Sequence, residues 1–214
     1  MLTGVLGEKG APLSILCLGA HCDDIEIGCG GTLLRLLAER PGSTVTWAAL
    51  ASNPEREREA RGSAAEFLAG AAQADITVEH FRDGFFPTLF GEIKEFFEAT
   101  KRRVRPDLIL THHRADRHQD HRTIAELTWN TFRDHLIAEY EIPKYEGDLG
   151  HPNLYVPLSE ETARRKIALV MRHYPSQAKR SWFRGETFEA VLRLRGIECN
   201  APFAEAFHVS KLVL

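Results

Sequence analysis

The sequence has no long apolar run and few cysteines. None of its apolar stretches approaches the ~20 residues that a membrane-spanning helix needs, and the first ten residues lack the basic-then-apolar order of a secretory signal. The 4 cysteines include no Cys-x-x-Cys pair, which argues against a four-cysteine zinc site or a thioredoxin-type motif. We therefore expect no transmembrane segment and a reducing, cytoplasmic location.

The sequence also lacks an excess of positive charge. Its 27 Lys and Arg residues are outnumbered by 30 Asp and Glu, so the net charge is -3 and no basic footprint indicates nucleic-acid binding. Apolar residues, in contrast, are plentiful at 43%, which excludes disorder as the main state. The length of 214 residues predicts a single domain over residues 1–214.

Apolar strand patterns alternate with helical patterns along the chain. The predicted strands are Leu13–Ala20, Ser43–Leu50, Ile76–Phe81, Asp107–Thr111 and Glu205–Leu214. The predicted helices are one opened by Gly30-Gly31-Thr32 and stopped by Pro41-Gly42, one over Glu55–Leu68, one from Leu89 to Val104, one with Ala125, Trp129, Phe132 and Leu136 on one face, and one capped by Ser159. Tyr140–Pro157, rich in Pro and Gly, is predicted to be a surface loop.

This alternation predicts an α/β fold. We expect a Rossmann-like, three-layer arrangement with a mostly parallel sheet and helices on both faces. Ligands of such sheets bind at the carboxyl ends of the strands. The chemistry of this protein should therefore lie just after Ala20, Leu50, Phe81 and Thr111.

Histidines and acids follow the first and the fourth predicted strands. His21–Glu26 comes directly after the first strand, and His112–His121 comes directly after the fourth. Either cluster alone could be an acidic helix N-terminus or a surface loop. Two such clusters, at strand ends that a parallel sheet can place side by side, favour a metal site. Imidazole and carboxylate are zinc ligands, and catalytic zinc takes three of them plus water.

These residues resemble the motifs of a known family. His21-Cys22-Asp23-Asp24, followed by Glu26 and Gly30-Gly31-Thr32, is similar to the first motif of the PIG-L/LmbE-like zinc-dependent N-deacetylases. Asp116–Arg122 is similar to their second motif. Weaker similarities lie at Arg56 and Glu59, at His173–Gln177 and at Glu205-Ala206-Phe207.

The resemblance implies a zinc site and an amide hydrolysis. By this analogy, His21, Asp24 and His121 bind Zn²⁺. The reaction would be removal of the acetyl group from an N-acetylated amino sugar, an N-acetylglucosaminyl-type conjugate, with release of acetate and a free amine. The resemblance also suggests a homo-oligomer.

The same resemblance implies roles for four further residues. Asp23 would be the general base, and Arg56 would contact the substrate. His118, charged and paired with Asp120, would stabilise the oxyanion that forms during hydrolysis. Amide hydrolysis needs an activated water, a stabilised oxyanion and a protonated leaving amine, which are the functions that these residues would supply.

Two residues depart from the family pattern, and several alternatives stay open. Cys22 and Gln119 stand where proline is usual, so the fixed backbone angle of proline is lost at non-ligand positions. The element His173–Gln177 carries one residue more than usual, which leaves its role open.

The alternative functions are a zinc amidase for another amide, such as a thiol conjugate, and a metal-free carboxylate hydrolase. A nucleotide-binding loop at Gly28–Gly31 is disfavoured because the preceding acids would repel phosphate.

Overall fold

The computed structural model describes residues 7–212. Its strands are β1 (Ser14–Gly19), β2 (Thr44–Ala49), β3 (Gln73–Val78), β4 (Leu108–His112), β5 (Ile137–Tyr140), β6 (Leu154–Leu158) and β7 (Phe203–His208). Its helices are α1 (Asp24–Glu39), α2 (Pro54–Phe67), α3 (Phe90–Arg103), α4 (Gln119–Thr131), α5 (Glu160–His173) and α6 (Gly185–Glu198). Short 3₁₀ turns lie at Phe86–Leu89 and Pro175–Gln177.

The strands form one mixed sheet in the order β3-β2-β1-β4-β5-β7-β6. The first five strands in that order are parallel to one another. β7 runs antiparallel to both β5 and β6. The predicted α/β fold with a mostly parallel sheet is confirmed, and the antiparallel edge is an addition to it.

Alternate residues of the central strand face two separate apolar layers. Ile15 and Cys17 of β1 belong to a core that also takes residues from α1, α2 and α5. Leu16 and Leu18 point the other way, into a core shared with α3 and α4. Successive side chains of a strand leave opposite faces, so the period of two in β1 supplies both layers. Helices therefore cover both faces of the sheet, as predicted.

The first helix begins earlier than expected. It starts at Asp24, and its three glycines lie inside it. The carboxylate of Asp24 in the first turn interacts favourably with the positive end of the helix dipole. Tertiary packing overrides the low helix propensity of glycine here, since a Cβ on Gly28 would lie 2.2 Å from the ring of Tyr140. The prediction of a helix start at Gly30 is wrong.

The C-terminal half differs most from the expectation. The segment predicted as a loop contains the buried Tyr140 and the strand β6, whose Pro157 is tolerated at the sheet edge. Leu136 is not on a helix, because α4 ends at Thr131. α6 was not predicted, and β7 ends at His208 rather than at Leu214, which lies outside the described residues. Within residues 7–212, no helix is long and apolar enough to cross a membrane.

Candidate functional site

The candidate site lies at the carboxyl ends of β1, β2 and β4, the edge where the sequence predicts it. Only Ala20 separates the end of β1 from His21, and α1 begins at Asp24. His118 caps the N-terminus of α4 and His121 lies in its first turn, after the loop that follows β4. Since β1 and β4 are paired neighbours, the two clusters meet although about a hundred positions separate them.

Three side chains converge with the spacing of a metal site. Nδ1 of His21 lies 3.2 Å from Nε2 of His121 and 3.3 Å from Oδ2 of Asp24. Nε2 of His121 lies 3.5 Å from Oδ1 of Asp24. Tetrahedral zinc with bonds of about 2.0–2.1 Å separates its ligand atoms by about 3.3 Å. The three residues predicted as ligands thus bring donor atoms close enough together for a metal ion, with the two contacts to Asp24 made by its two different oxygens, and all three residues are buried.

Further donors surround this triangle. His118 contributes a nitrogen within 4.8 Å of donor atoms of His21 and His121, and His112 does the same with Asp24 and His121. Nε2 of His112 accepts a hydrogen bond of 2.9 Å from the backbone N–H of Ala20 and lies 3.1 Å from Oδ2 of Asp24. His112 thus has a backbone partner and also lies in contact with the candidate ligand Asp24.

Carboxylates contact the outward nitrogens of both candidate ligand histidines. Nδ1 of His121 lies 2.9 Å from Oδ2 of Asp116. Nε2 of His21 lies 3.0 Å from Oδ1 of Asp83 and 3.4 Å from Oδ2 of Asp120. Such partners fix the tautomer and orientation of a metal-binding imidazole. Neither Asp83 nor Asp116 was assigned a role from the sequence; the five-residue spacing of Asp116 from His121 was the available signal.

The expected pairing of the Asp120 carboxylate with the His118 ring is not found. Oδ2 of Asp120 accepts from the N–H of Gly84 at 2.6 Å, and Oδ1 accepts from the N–H of Phe86 at 3.1 Å. The ring of His118 instead caps α4, with Nδ1 accepting from the backbone N–H of Asp120 at 3.3 Å. The ring of His118 is thus engaged with the helix backbone, and the carboxylate of Asp120 binds the segment after β3.

Arg56 forms an ion pair with Asp23. Its guanidinium lies 2.5 Å from Oδ1 of Asp23, and both side chains are mostly buried. α2 presents Arg56 in its first turn, where Asn53 caps the helix by accepting from the N–H groups of Glu55 and Arg56. The ion pair joins Asp23, which directly precedes the candidate ligand Asp24, to the first turn of α2.

The electrostatics of the triangle favour the forms that bind metal at two of its three corners. Burial and the neighbouring His112 lower the pKa of His121 to about 3, so this imidazole is neutral. Burial opposes ionisation of Asp24, but the surrounding histidines outweigh it and hold its pKa well below the ordinary value. Burial by itself would lower the pKa of His21. The carboxylates of Asp24, Asp120 and Asp83 outweigh burial, and the net result is a pKa well above 6.5.

Cys22 and the His173–Gln177 element each have partners within the protein. The thiol of Cys22 donates to the carbonyl of Ala51 at 3.3 Å, and burial raises its pKa to about 12, so it is protonated and engaged elsewhere. In the His173–Gln177 element, the N–H and hydroxyl of Ser176 bind the carboxylate of Glu59 at 2.9 and 2.6 Å. This pair joins the turn after α5 to α2, the helix that carries Arg56.

Comparisons with known proteins agree with this architecture. A sequence model of the PIG-L family, described as GlcNAc-PI de-N-acetylase, matches residues 16–132, more than half of the chain. The conserved protein TT1542 from Thermus thermophilus superposes with a TM-score of 0.75 at 24% identity, covering 94% of this chain and 96% of that one.

Two further solved structures share the fold and carry different functions in their names. The N,N'-diacetylchitobiose deacetylase from Pyrococcus horikoshii gives a TM-score of 0.68 at 17% identity, covering 92% of this chain and 83% of that one. GalB, a 4-carboxy-2-hydroxymuconate hydratase from Pseudomonas putida KT2440, gives 0.72 at 17% identity, with 94% and 98% covered. At these identities the likeness shows the fold, and function must be argued from the site.

Proposed function

This chain belongs to the PIG-L family, and from that premise we propose that it is a zinc-dependent N-deacetylase acting on an N-acetylated amino sugar. The products would be acetate and the free amine. The observation that carries the proposal is the convergence of His21, Asp24 and His121, whose side chains approach one another pairwise to 3.2–3.5 Å between donor atoms. The deacetylase named among the fold neighbours supports the acetamide as the bond hydrolysed.

The donor set suits zinc and its usual chemistry. Two imidazoles and one carboxylate leave a divalent ion with a net positive charge and room for a further ligand. When bound, zinc supplies Lewis-acid polarisation of the acetamide carbonyl and of the attacking water. The carboxylates of Asp116 and of Asp83 orient the two imidazoles from behind.

Asp23 is proposed as the general base. It directly precedes the candidate ligand Asp24, and its carboxylate is buried and held in an ion pair with Arg56. There it would take the proton of the attacking water and return it to the departing amine nitrogen. The role expected of Arg56 toward the substrate is thus joined by a second one, the positioning of this base.

His118 is proposed to donate a hydrogen bond to the oxyanion. Its Nδ1 accepts from the N–H of Asp120, so its ring proton lies on Nε2. Burial and the neighbouring His21 lower its pKa, which favours the neutral ring. The proposal is therefore a neutral N–H donor instead of the imidazolium expected from the sequence. Asp120 acts by binding the turn at Gly84 and Phe86 next to His21.

The test is acetate release by zinc-stripped and zinc-reloaded protein from a panel of N-acetylglucosamine conjugates. Zinc-restored release from any member supports the proposal, and the best member defines the acceptor. Zinc binding without release would favour another amide, such as a thiol conjugate, or the hydration named for the Pseudomonas neighbour. Activity that survives complete metal removal would favour the metal-free carboxylate hydrolase.

The variant Asp23→Asn isolates the general base. We expect it to bind zinc like the wild type and to lose about 10²–10⁴-fold in turnover, the usual contribution of a general base. Asp75→Asn, a half-exposed carboxylate on β3, is the matched control and should keep both properties. Wild-type turnover in Asp23→Asn would remove this residue from the mechanism.

Three sequence-based expectations stay predictions. These are the single domain over residues 1–214, the cytoplasmic location and the homo-oligomer. Light scattering coupled to gel filtration measures the oligomeric state directly, and a mass of 24.1 kDa in solution would exclude the oligomer.

A further inference from the structure

A buried lysine lies behind the candidate metal site, on the segment that the sequence predicted as a loop. Nζ of Lys144 lies 2.8 Å from Oδ2 of Asp116 and 2.8 Å from both carboxylate oxygens of Asp148. The lysine side chain is only 7% exposed. Burying an ammonium group is costly unless it is paired, so these contacts hold the residue in one arrangement.

Asp116 connects this lysine to two candidate active-site histidines. The oxygen that accepts from Lys144, Oδ2, also accepts from Nδ1 of His121 at 2.9 Å. The other oxygen, Oδ1, accepts from the backbone N–H of His118 at 2.8 Å. One buried carboxylate thus orients a candidate metal ligand and the backbone of the candidate oxyanion donor.

A second contact joins the same two segments. Oδ2 of Asp148 accepts from the backbone N–H of Arg117 at 2.6 Å, and the guanidinium of Arg117 donates to the carbonyl of Glu146 at 3.2 Å. The segment from residue 144 to residue 148 is therefore fastened along the turn that carries Asp116 and His118. Lys144 lies between the two carboxylates of this junction.

We propose that Lys144 is a positioning residue that holds Asp116 against His121 and thereby raises the affinity of the site for metal. The inference rests on the proposed function in one respect, that His121 is a metal ligand. Without Lys144, the buried carboxylate of Asp116 loses the cation that offsets its desolvation and can rotate away from Nδ1 of His121. The imidazole would then enter the metal site with less defined orientation and weaker basicity.

The experiment measures metal affinity, which does not depend on the substrate. Zinc affinity of Lys144→Met is measured by competition with a chromophoric chelator, and the visible spectrum of the Co²⁺-loaded protein reports the ligand geometry. Loss of a carboxylate that orients a ligand usually lowers affinity about 10–100-fold. We expect about tenfold for Lys144→Met, because it acts one contact further out, with recovery in Lys144→Arg.

A double-mutant cycle with Asp116→Asn tests whether Lys144 acts on His121 through Asp116. If Lys144 acts through Asp116, then Lys144→Met should change zinc affinity in the wild type and leave it unchanged in the Asp116→Asn background. Equal losses in both backgrounds would overturn the proposal, and so would wild-type affinity with an unaltered Co²⁺ spectrum in Lys144→Met.

Arg195→Met is the matched control for general loosening of the loop. Arg195 is a buried cation that binds both carboxylate oxygens of Glu141 and the carbonyl of Gly150, on either side of the 144–148 segment, without touching Asp116. The Arg195→Met variant should have a less stable fold and an unchanged affinity for zinc. An equal loss of affinity in Arg195→Met would assign the effect to loop order and overturn the role of Lys144. Failure of acetate release, with the affinity pattern intact, would refute only the proposed function.

Discussion

Glu26 should be protonated in the folded protein at neutral pH. Its side chain is completely buried, two residues after Asp24. The hydroxyl of Tyr174 lies 2.5 Å from Oε1 of Glu26 and 2.6 Å from the carbonyl of Cys22. One hydroxyl has one hydrogen and cannot donate to both acceptors. A proton on Glu26 supplies the second hydrogen that the two contacts need, because Tyr174 then accepts from the carboxylic acid and donates to the carbonyl.

The magnitude follows from the pKa. Burial raises the pKa of Glu26 from 4.5 to about 8. Below pH 4.5 both the folded and the unfolded state carry the proton. Between pH 4.5 and 8 only the unfolded state loses it, so stability falls by about 1.4 kcal/mol per pH unit, about 5 kcal/mol in all. Above pH 8 this contribution no longer changes.

The variant Glu26→Gln tests this reasoning, because glutamine resembles the protonated acid and does not titrate. Urea denaturation of both proteins from pH 4.5 to 9 gives the free energy of unfolding. We expect the free energy of unfolding of the variant, relative to that of the wild type, to increase steadily from pH 5 to 8 and to remain constant above pH 8. A pH-independent difference would refute the neutral Glu26. The carbonyl stretch of a protonated acid, present in the wild type and absent in the variant at pH 7, is an independent check.

Three other outcomes follow from the packing and the charges of the site. His121→Ala should lose stoichiometric zinc, measured by metal analysis after gel filtration, and full retention would make His112 the third ligand. Gly28→Ala should lower the free energy of unfolding by at least ~1–3 kcal/mol, because its methyl group would lie 2.2 Å from the ring of Tyr140; an unchanged urea midpoint would contradict this. Zinc affinity should weaken as the pH falls, because neighbouring carboxylates outweigh burial and raise the pKa of His21, so that protons compete with the metal. Calorimetric titrations at several pH values measure the trend, and a pH-independent affinity would exclude this competition.

The site was more predictable than the C-terminal half of the fold. His21, Asp24 and His121 converge as predicted, because each follows a central parallel strand whose apolar run is visible in the sequence. β6 and α6 were missed because β6 is a short edge strand containing a proline, and the surface of α6 exposes Leu194 and Ile197. Periodicity is weakest where burial is one-sided or incomplete.

Local signals determined the fold class and the chemistry of the site. Strand and helix periods, turn residues and the types of side chain at strand ends are properties of short segments, and these are legible without coordinates. They predict an α/β sheet with two histidine–carboxylate clusters at one edge, and they supply the motifs that resemble the PIG-L family.

Only the tertiary structure decided how the polar atoms pair. It assigned the carboxylate of Asp116 to His121, turned that of Asp120 toward Gly84 and Phe86, and joined Lys144 to the site. It also placed the glycines of the first motif inside a helix. These outcomes depend on contacts between segments distant in sequence and on which oxygen of a carboxylate is already engaged, and no local pattern contains that information.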